Sequence, residues 1–250
     1  MKRTIAILLF GFVAAVPALA QGAKPDMKSN ASLPTVDQIL DKYVKAIGGK
    51  EALEKQTSRV TKGTFDIPAV GASGTMEIYE KAPNKNLLAI NIPGFGVIQE
   101  GFDGTVGWAE EPTSGLREKS GIELEQTKLD WAFHRNTHLK ELYPKMTVKG
   151  QEKVGERMTY VIEATPAKGS AEKWYFDAEN GLLIKMDQER ESPLGAVAIE
   201  VYLDSYKEMD GVKIPTAQRL VRPDFTINIT TEEVKHNVAI DDAKFKKPGS

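Results

Sequence analysis

The sequence predicts a mainly β domain with a few helices: a curved, antiparallel, up-and-down sheet whose concave face is covered by helices. Three observations predict it. From Ser58 onward the apolar residues repeat every second position, in segments near 57–66, 73–81, 86–92, 96–102, 105–109, 146–151, 157–165, 172–177, 182–190, 196–207, 213–222 and 225–236. Asp103-Gly104, Asn180-Gly181 and Asp210-Gly211 stand between such segments, and each dipeptide adopts the φ > 0 geometry of a tight hairpin cheaply. Two amphipathic runs, near 35–47 and 121–139, interrupt the alternation. Strands joined by tight turns run antiparallel. A dozen of them twist too strongly to lie flat, so the sheet curls and its hollow side needs a cover.

The first helix opens at Thr35, where Gln38 completes a capping box. Val36, Ile39, Leu40, Tyr43, Val44 and Ile47 follow the i, i+3, i+4, i+7 pattern, and Gly48-Gly49 stops it. Within the strands, Val197, Ile199, Val201 and Leu203 share one face, with Glu200, Asp204 and Tyr206 on the other. Phe225, Ile227 and Ile229 alternate with Thr226, Asn228 and Thr230, and Met158, Tyr160 and Ile162 repeat the pattern. One face is wet and one buried. Glu- and Lys-rich outward positions speak against an outer-membrane barrel, which turns apolar side chains to lipid. The central helix begins with Ser120 and Glu123 as a second S-x-x-E box; Leu129, Ala132 and Phe133 fall on one face, and Tyr143-Pro144 ends the run.

Composition bounds the function. The chain has 250 residues, 41% hydrophobic and 27% charged, which suits one globular domain over 35–250. Lys2 and Arg3, the apolar run Ile5 to Val16, and Ala18-Leu19-Ala20 read as a secretory signal, 1–20, cleaved near Ala20. Residues 21–34 read as a flexible tether. Cleavage would remove two of the 33 cations and leave 31 against 35 acids, a net charge of −4. That balance argues against nucleic acid, which needs a basic face. The chain has no Cys, hence neither a disulfide nor a thiol for lipid attachment near the cleavage site. The expectation is a soluble, monomeric, periplasmic or secreted protein without a stable membrane span.

Catalytic patterns are sparse. His134 and His138 stand i, i+4 on the predicted central helix, a spacing that presents two imidazoles to one metal, with Asp130 and Glu141 as further ligands. Arg135 takes the place of the Glu that a zinc protease sets after its first His. A metal-dependent hydrolase is therefore the weakest alternative, and a solvated polar helix face the simpler account. His236 stands alone near a strand end. No G-x-S-x-G elbow and no phosphate loop is present. The expectation is no enzyme, no metal and no cofactor.

The order of local motifs resembles the LolA/LolB-like superfamily of bacterial lipoprotein-sorting carriers. The marks are Glu77-Ile78-Tyr79-Glu80-Lys81-Ala82-Pro83-Asn84, Asp103-Gly104-Thr105-Val106-Gly107-Trp108, and Tyr175-Phe176-Asp177 with Gly181-Leu182-Leu183. The resemblance implies an incomplete β-barrel closed by helices, whose hollow holds acyl chains of a lipid or lipoprotein. Envelope transport proteins would be further partners. Two positions depart from the family: Ala82 stands where the carrier has Arg before Pro, and Asn86 replaces an aromatic residue. Candidate hollow-lining residues are Leu88, Ile90, Ile92, Trp108, Leu129, Trp131 and Phe133; each has ordinary core packing as its alternative. A protein-binding or sensor module of the same fold is the second functional alternative.

Overall fold

The computed structural model describes residues 32–192 and 195–249. The expected export signal and nearly all of the expected tether lie outside them. Residues from Leu33 form one compact unit.

The capping box of the first helix, α1 (Val36–Ala46), forms as its sequence requires. Thr35 accepts from the Gln38 backbone N–H, and the Gln38 side chain accepts from the Thr35 N–H. A short helix, α2 (Lys50–Glu54), follows the Gly48-Gly49 break. Gly48 has φ +125°, and a Cβ there would collide with the Gly211 carbonyl. Only glycine lets the end of α1 sit this close to the β11–β12 hairpin described below.

Among the described residues the strands form one antiparallel sheet of thirteen. The first six, β1 (Ser58–Ile67), β2 (Ala72–Lys81), β3 (Lys85–Ile92), β4 (Gly96–Phe102), β5 (Gly107–Glu111) and β6 (Gly115–Glu118), run up and down in order. The other seven are β7 (Lys145–Val154), β8 (Arg157–Thr165), β9 (Glu172–Asp177), β10 (Leu183–Ser192), β11 (Gly195–Met209), β12 (Val212–Val221) and β13 (Thr226–His236). They do the same, and β13 pairs with β1 to join the halves. The sheet is curved but does not close, because β6 and β7 remain unpaired edges. The incomplete barrel is therefore what the alternation and the turns predict. β6 is the strand that the alternation misses: four residues at a sheet edge, of which only Arg117 is not exposed.

The chain must pass from one edge of this open sheet to the other, and the segment between β6 and β7 makes that crossing. It contains α3 (Gly121–Asp130), a 3-10 turn at Arg135–Thr137, and α4 (Leu139–Leu142). This corrects the reading of one helix over 121–139. Ser120 makes no side-chain cap, and the Glu123 carboxylate that would complete the box is bound to Arg117 by paired bonds of 2.7 and 2.8 Å. The helix ends at Asp130, so Leu129, Ala132 and Phe133 do not share one face of it. Its buried positions are polar, Gln126 and Thr127. The Gln126 amide donates to the Glu189 carbonyl and accepts from the Glu191 N–H, both at 2.9 Å. An amide clasp on β10, more than an apolar stripe, holds α3 in place.

The principal core lies on the concave side, between α1, α4 and the strands β8 to β11. Ile39, Leu40, Tyr43 and Ile47 meet Ile162, Trp174, Phe176, Val201 and Leu203 there. Tyr206 departs from the strict alternation. Ser205 adopts φ +53°, and the Tyr206 side chain beyond it packs on this core and donates to the Leu183 carbonyl at 2.7 Å. A second, smaller cluster occupies the opposite face of the sheet, where Leu87 and Trp108 lie beneath Ile240 and Phe245 of the C-terminal segment.

Candidate functional site: a hollow between the sheet and its helices

A hollow of about 320 Å³ separates the concave sheet from its cover. Tyr43, Ile47 and Leu53 line it from α1 and α2, and Trp131 and Arg135 from the crossing segment. Met76 and Ile78 line it from β2 and Leu203 from β11. The volume sits at the lower end of the range for small-molecule pockets, which starts at ~300 Å³.

The expected lining residues divide into five groups. Trp131 lines the hollow. Leu88, Ile90 and Ile92 do not reach it, but register places Leu88 opposite Ile78 and Ile90 opposite Met76. They extend the same apolar face one strand outward, half-buried. Leu129 packs against the principal core. Phe133 lies under the Arg59 guanidinium, 5.8 Å from its ring centre, and its N–H donates to the Pro83 carbonyl at 3.0 Å. Trp108 belongs to the other side of the sheet. It pairs with Gly101, which pairs with Leu87, which pairs with Tyr79, and this row of side chains faces away from the hollow. Its indole donates to the Phe245 carbonyl at 3.0 Å. A Cβ at position 101 would strike its ring, so glycine there makes room for the indole.

The two histidines do not form a pair. The helix is broken between them, and they face different partners. His134 Nε2 meets the Gln56 carbonyl at 2.9 Å, whereas His138 Nδ1 lies 3.0 Å from Glu141. Among the described residues no group of three or more His, Cys, Asp or Glu is placed to hold a metal ion.

Charged residues in and behind the wall are the part of the site that apolar patterning misses. Arg59 on β1 makes two 2.6 Å bonds to Glu80 on β2, which is buried. Glu172 on β9 is also buried and is met from four sides. Trp174 Nε1 donates at 2.8 Å, Arg190 at 3.0 Å, the Tyr143 hydroxyl at 3.3 Å and Arg135 at 3.4 Å. Arg190 also binds Asp130 at 2.9 Å. Two arginines and two acids thus neutralise each other in a poorly hydrated place, where either sign alone would be costly. Burial raises the Asp130 carboxyl above its ordinary range, against the pull of Arg190. Burial would depress the Arg135 guanidinium, but Tyr143, Asp130 and Glu172 outweigh it and hold the group charged. Burial lifts the Tyr43 and Tyr143 hydroxyls to about 12, so both remain neutral donors at ordinary pH. One signal for Glu172 was present in the sequence: in Glu172-Lys173-Trp174-Tyr175-Phe176 a strand alternation points the acid inward beside Trp174 and Phe176.

No family model matches the chain, and no curated protein matches it by sequence. Solved structures match it by fold. A LolA superfamily protein from Nitrosomonas europaea superposes with a TM-score of 0.58 at 15% identity, covering 86% of this chain and 99% of that one. A DUF1329 family protein from Desulfovibrio piger gives 0.58 at 15% identity, over 84% and 97% of the two chains. An outer membrane lipoprotein-sorting protein domain from Vibrio parahaemolyticus gives 0.57 at 13%, over 83% and 96%. At these identities the likeness is one of fold. The chain adopts the LolA-like architecture, an open antiparallel sheet wrapped around a hollow with helices across it.

Proposed function

We propose that this protein is an exported, periplasmic binding protein or carrier for a hydrophobic, acyl-chain-bearing ligand, such as a lipid or lipoprotein. Residues 35–250 act as a single carrier domain behind the 21–34 tether. The observation that carries this reading is the hollow itself, bounded by Tyr43, Ile47, Met76, Ile78, Trp131 and Leu203. The apolar part of the wall, left beside unfilled space, loses packing contacts that a guest would restore. Leu88, Ile90 and Ile92 continue the apolar surface beyond the covered part, which suits a chain-like guest longer than the hollow. Among the described residues no helix is long and apolar enough to cross a membrane. The fold likeness to a lipoprotein-sorting domain supports the same reading. The charged residues around the hollow bind one another, an arrangement that serves binding better than acid–base turnover. Native mass spectrometry and organic extraction of protein purified from the envelope test it. Co-purified lipid, or saturable uptake of a fluorescent fatty acid, is the expected result; protein that stays empty and ignores such probes would refute it.

A further inference from the structure

The hairpin turns at the two ends of the sheet differ in chemistry. In an up-and-down sheet alternate turns fall at the same end, so the β1–β2, β3–β4 and β5–β6 turns share one end. A Cβ on Gly96 would strike the Pro112 ring, so the second and third tips touch. All three follow one pattern: Pro68-Ala69-Val70-Gly71, Pro93-Gly94-Phe95-Gly96 and Pro112-Thr113-Ser114-Gly115. Among the described residues seven large apolar side chains are exposed, and four belong to these hairpins: Val70 and Phe95 in the turns, Val97 and Leu116 just beyond them. Exposed apolar residues scattered singly need no explanation, but a concentration at one end does. No charged residue occurs in 67–76, 86–99 or 112–116. At the opposite end the β4–β5, β7–β8, β9–β10 and β11–β12 turns carry Asp103, Glu156, Glu179 and Asp210. One end of the sheet is apolar at its tips, and the other is acidic.

We infer that these three tips are a docking surface for a lipid bilayer and enter its interfacial layer as apolar wedges. Three observations choose a bilayer over a protein partner. The apolar side chains stand on separate, narrow tips instead of one broad face; fluid lipid fills the spaces between them, whereas a rigid partner must match each one. The tip backbone suits a medium poor in water. Proline carries no N–H, and the Gly71 and Phe95 N–H groups are bonded within their own turns, to Pro68 and Ile92. An anionic lipid surface repels the acidic turns at the far end, which leaves the apolar end to face it. The tips are also continuous with the hollow. Ile90 stands opposite Met76 on one side and Ile98 on the other, and Ile92 stands opposite Gly96. That apolar row leads from the wall of the hollow to the β3–β4 tip. This last link rests on the proposed binding of acyl chains; the docking itself does not.

The test uses protein purified from the envelope and vesicles of phosphatidylcholine, with and without phosphatidylglycerol. The protein should float with both, because apolar wedges need no lipid charge, and added salt should not release it. Phe95 is 46% exposed, so Phe95→Ser spares the fold. It should lower vesicle partitioning by about tenfold, the worth of burying the rest of the ring. The chain has no Cys, so Val70→Cys, Phe95→Cys and Glu179→Cys each give a single site for an environment-sensitive dye. Vesicles should shift the emission to the blue for the first two and leave the third unchanged. Absence of flotation, flotation of Phe95→Ser equal to that of the parent, or a blue shift at position 179 alone would overturn the inference. Binding that needs phosphatidylglycerol and vanishes in salt would mean electrostatic attraction in place of wedges, and would overturn it too. Dimers in light scattering that Phe95→Ser dissociates, without vesicle binding, would assign the tips to a second copy of the chain. Uptake of a fluorescent fatty acid separates this inference from the proposed function. Protein that takes up the probe but ignores vesicles refutes the docking alone; protein that docks but takes up no probe refutes the carrier alone.

Discussion

Filling the hollow from the sheet side separates a ligand site from a packing defect. Thr61 lines the hollow from β1 and is 8% exposed. Phenylalanine suits a strand at least as well as threonine, so Thr61→Phe leaves β1 pairing favourable. A volume of about 320 Å³ corresponds to roughly ten water-sized units at ~30 Å³ each. At ~0.8 kcal/mol per buried methylene, a chain filling it gains on the order of 8 kcal/mol before the cost of association. The exchange adds roughly four heavy atoms, which removes ~3 kcal/mol of that gain. Binding of a fluorescent fatty acid should then weaken by on the order of a hundredfold. The empty protein responds differently. Occupying a void restores packing, while any overpacking costs ~1–3 kcal/mol, so its denaturant midpoint should move little or rise. Fluorescence titration and urea unfolding on the same preparations read both quantities. Unchanged affinity, with the introduced ring seen inside the hollow, would show that the guest sits elsewhere and that the volume argument is wrong.

Three further outcomes follow from named contacts. Glu172→Ala leaves Arg135 and Arg190 buried without their shared acid and should cost ~3–5 kcal/mol in urea unfolding; Glu172→Gln, which keeps an acceptor for the Trp174 indole, should cost less. Thr35→Ala removes the cap of α1 and should lower stability by ~1 kcal/mol. Hydrogen bonds from Lys81 and Lys85 hold the Asp242 carboxyl down at about 2 from an ordinary 3.8. Because the folded value is depressed, this contribution is complete above the unfolded pKa and is lost as pH falls through the folded one. The C-terminal segment over Trp108 should therefore loosen between about pH 4 and pH 2, seen as a shift of the Trp108 indole N–H resonance. Asp242→Asn should flatten that transition; a full transition in this variant would refute the clamp.

Every strand but β6, the hairpin pairings within each half of the sheet and the first helix were legible because each is set by neighbours in the chain; the β1–β13 pairing that joins the halves was not. Alternation decides which side chains share a face, Asx-Gly dipeptides decide where the chain reverses, and Thr35 with Gln38 decides where α1 begins. The central segment was not legible. Its apolar residues suggest one long helix, but Glu123 is claimed by Arg117, Gln126 by the edge of β10, and the Phe133 N–H by Pro83. These partners are distant or out of phase in the chain, and together they end the helix at Asp130.

The same division runs through the candidate site. Local periodicity by itself determined that Leu88, Ile90 and Ile92 share a face, and that Trp108 must be buried somewhere. It could not determine which face each row presents to the hollow, because alternation is symmetrical until curvature and cover choose an inside. The open sheet made that choice by sending the chain from β6 to β7 across one face and the C-terminal segment across the other. That closure set Trp108 outside and brought Gln56, Arg59, Arg135 and Glu172 together from separate parts of the chain. Charges of opposite sign meet in a poorly hydrated interior only when tertiary structure has already removed the water between them.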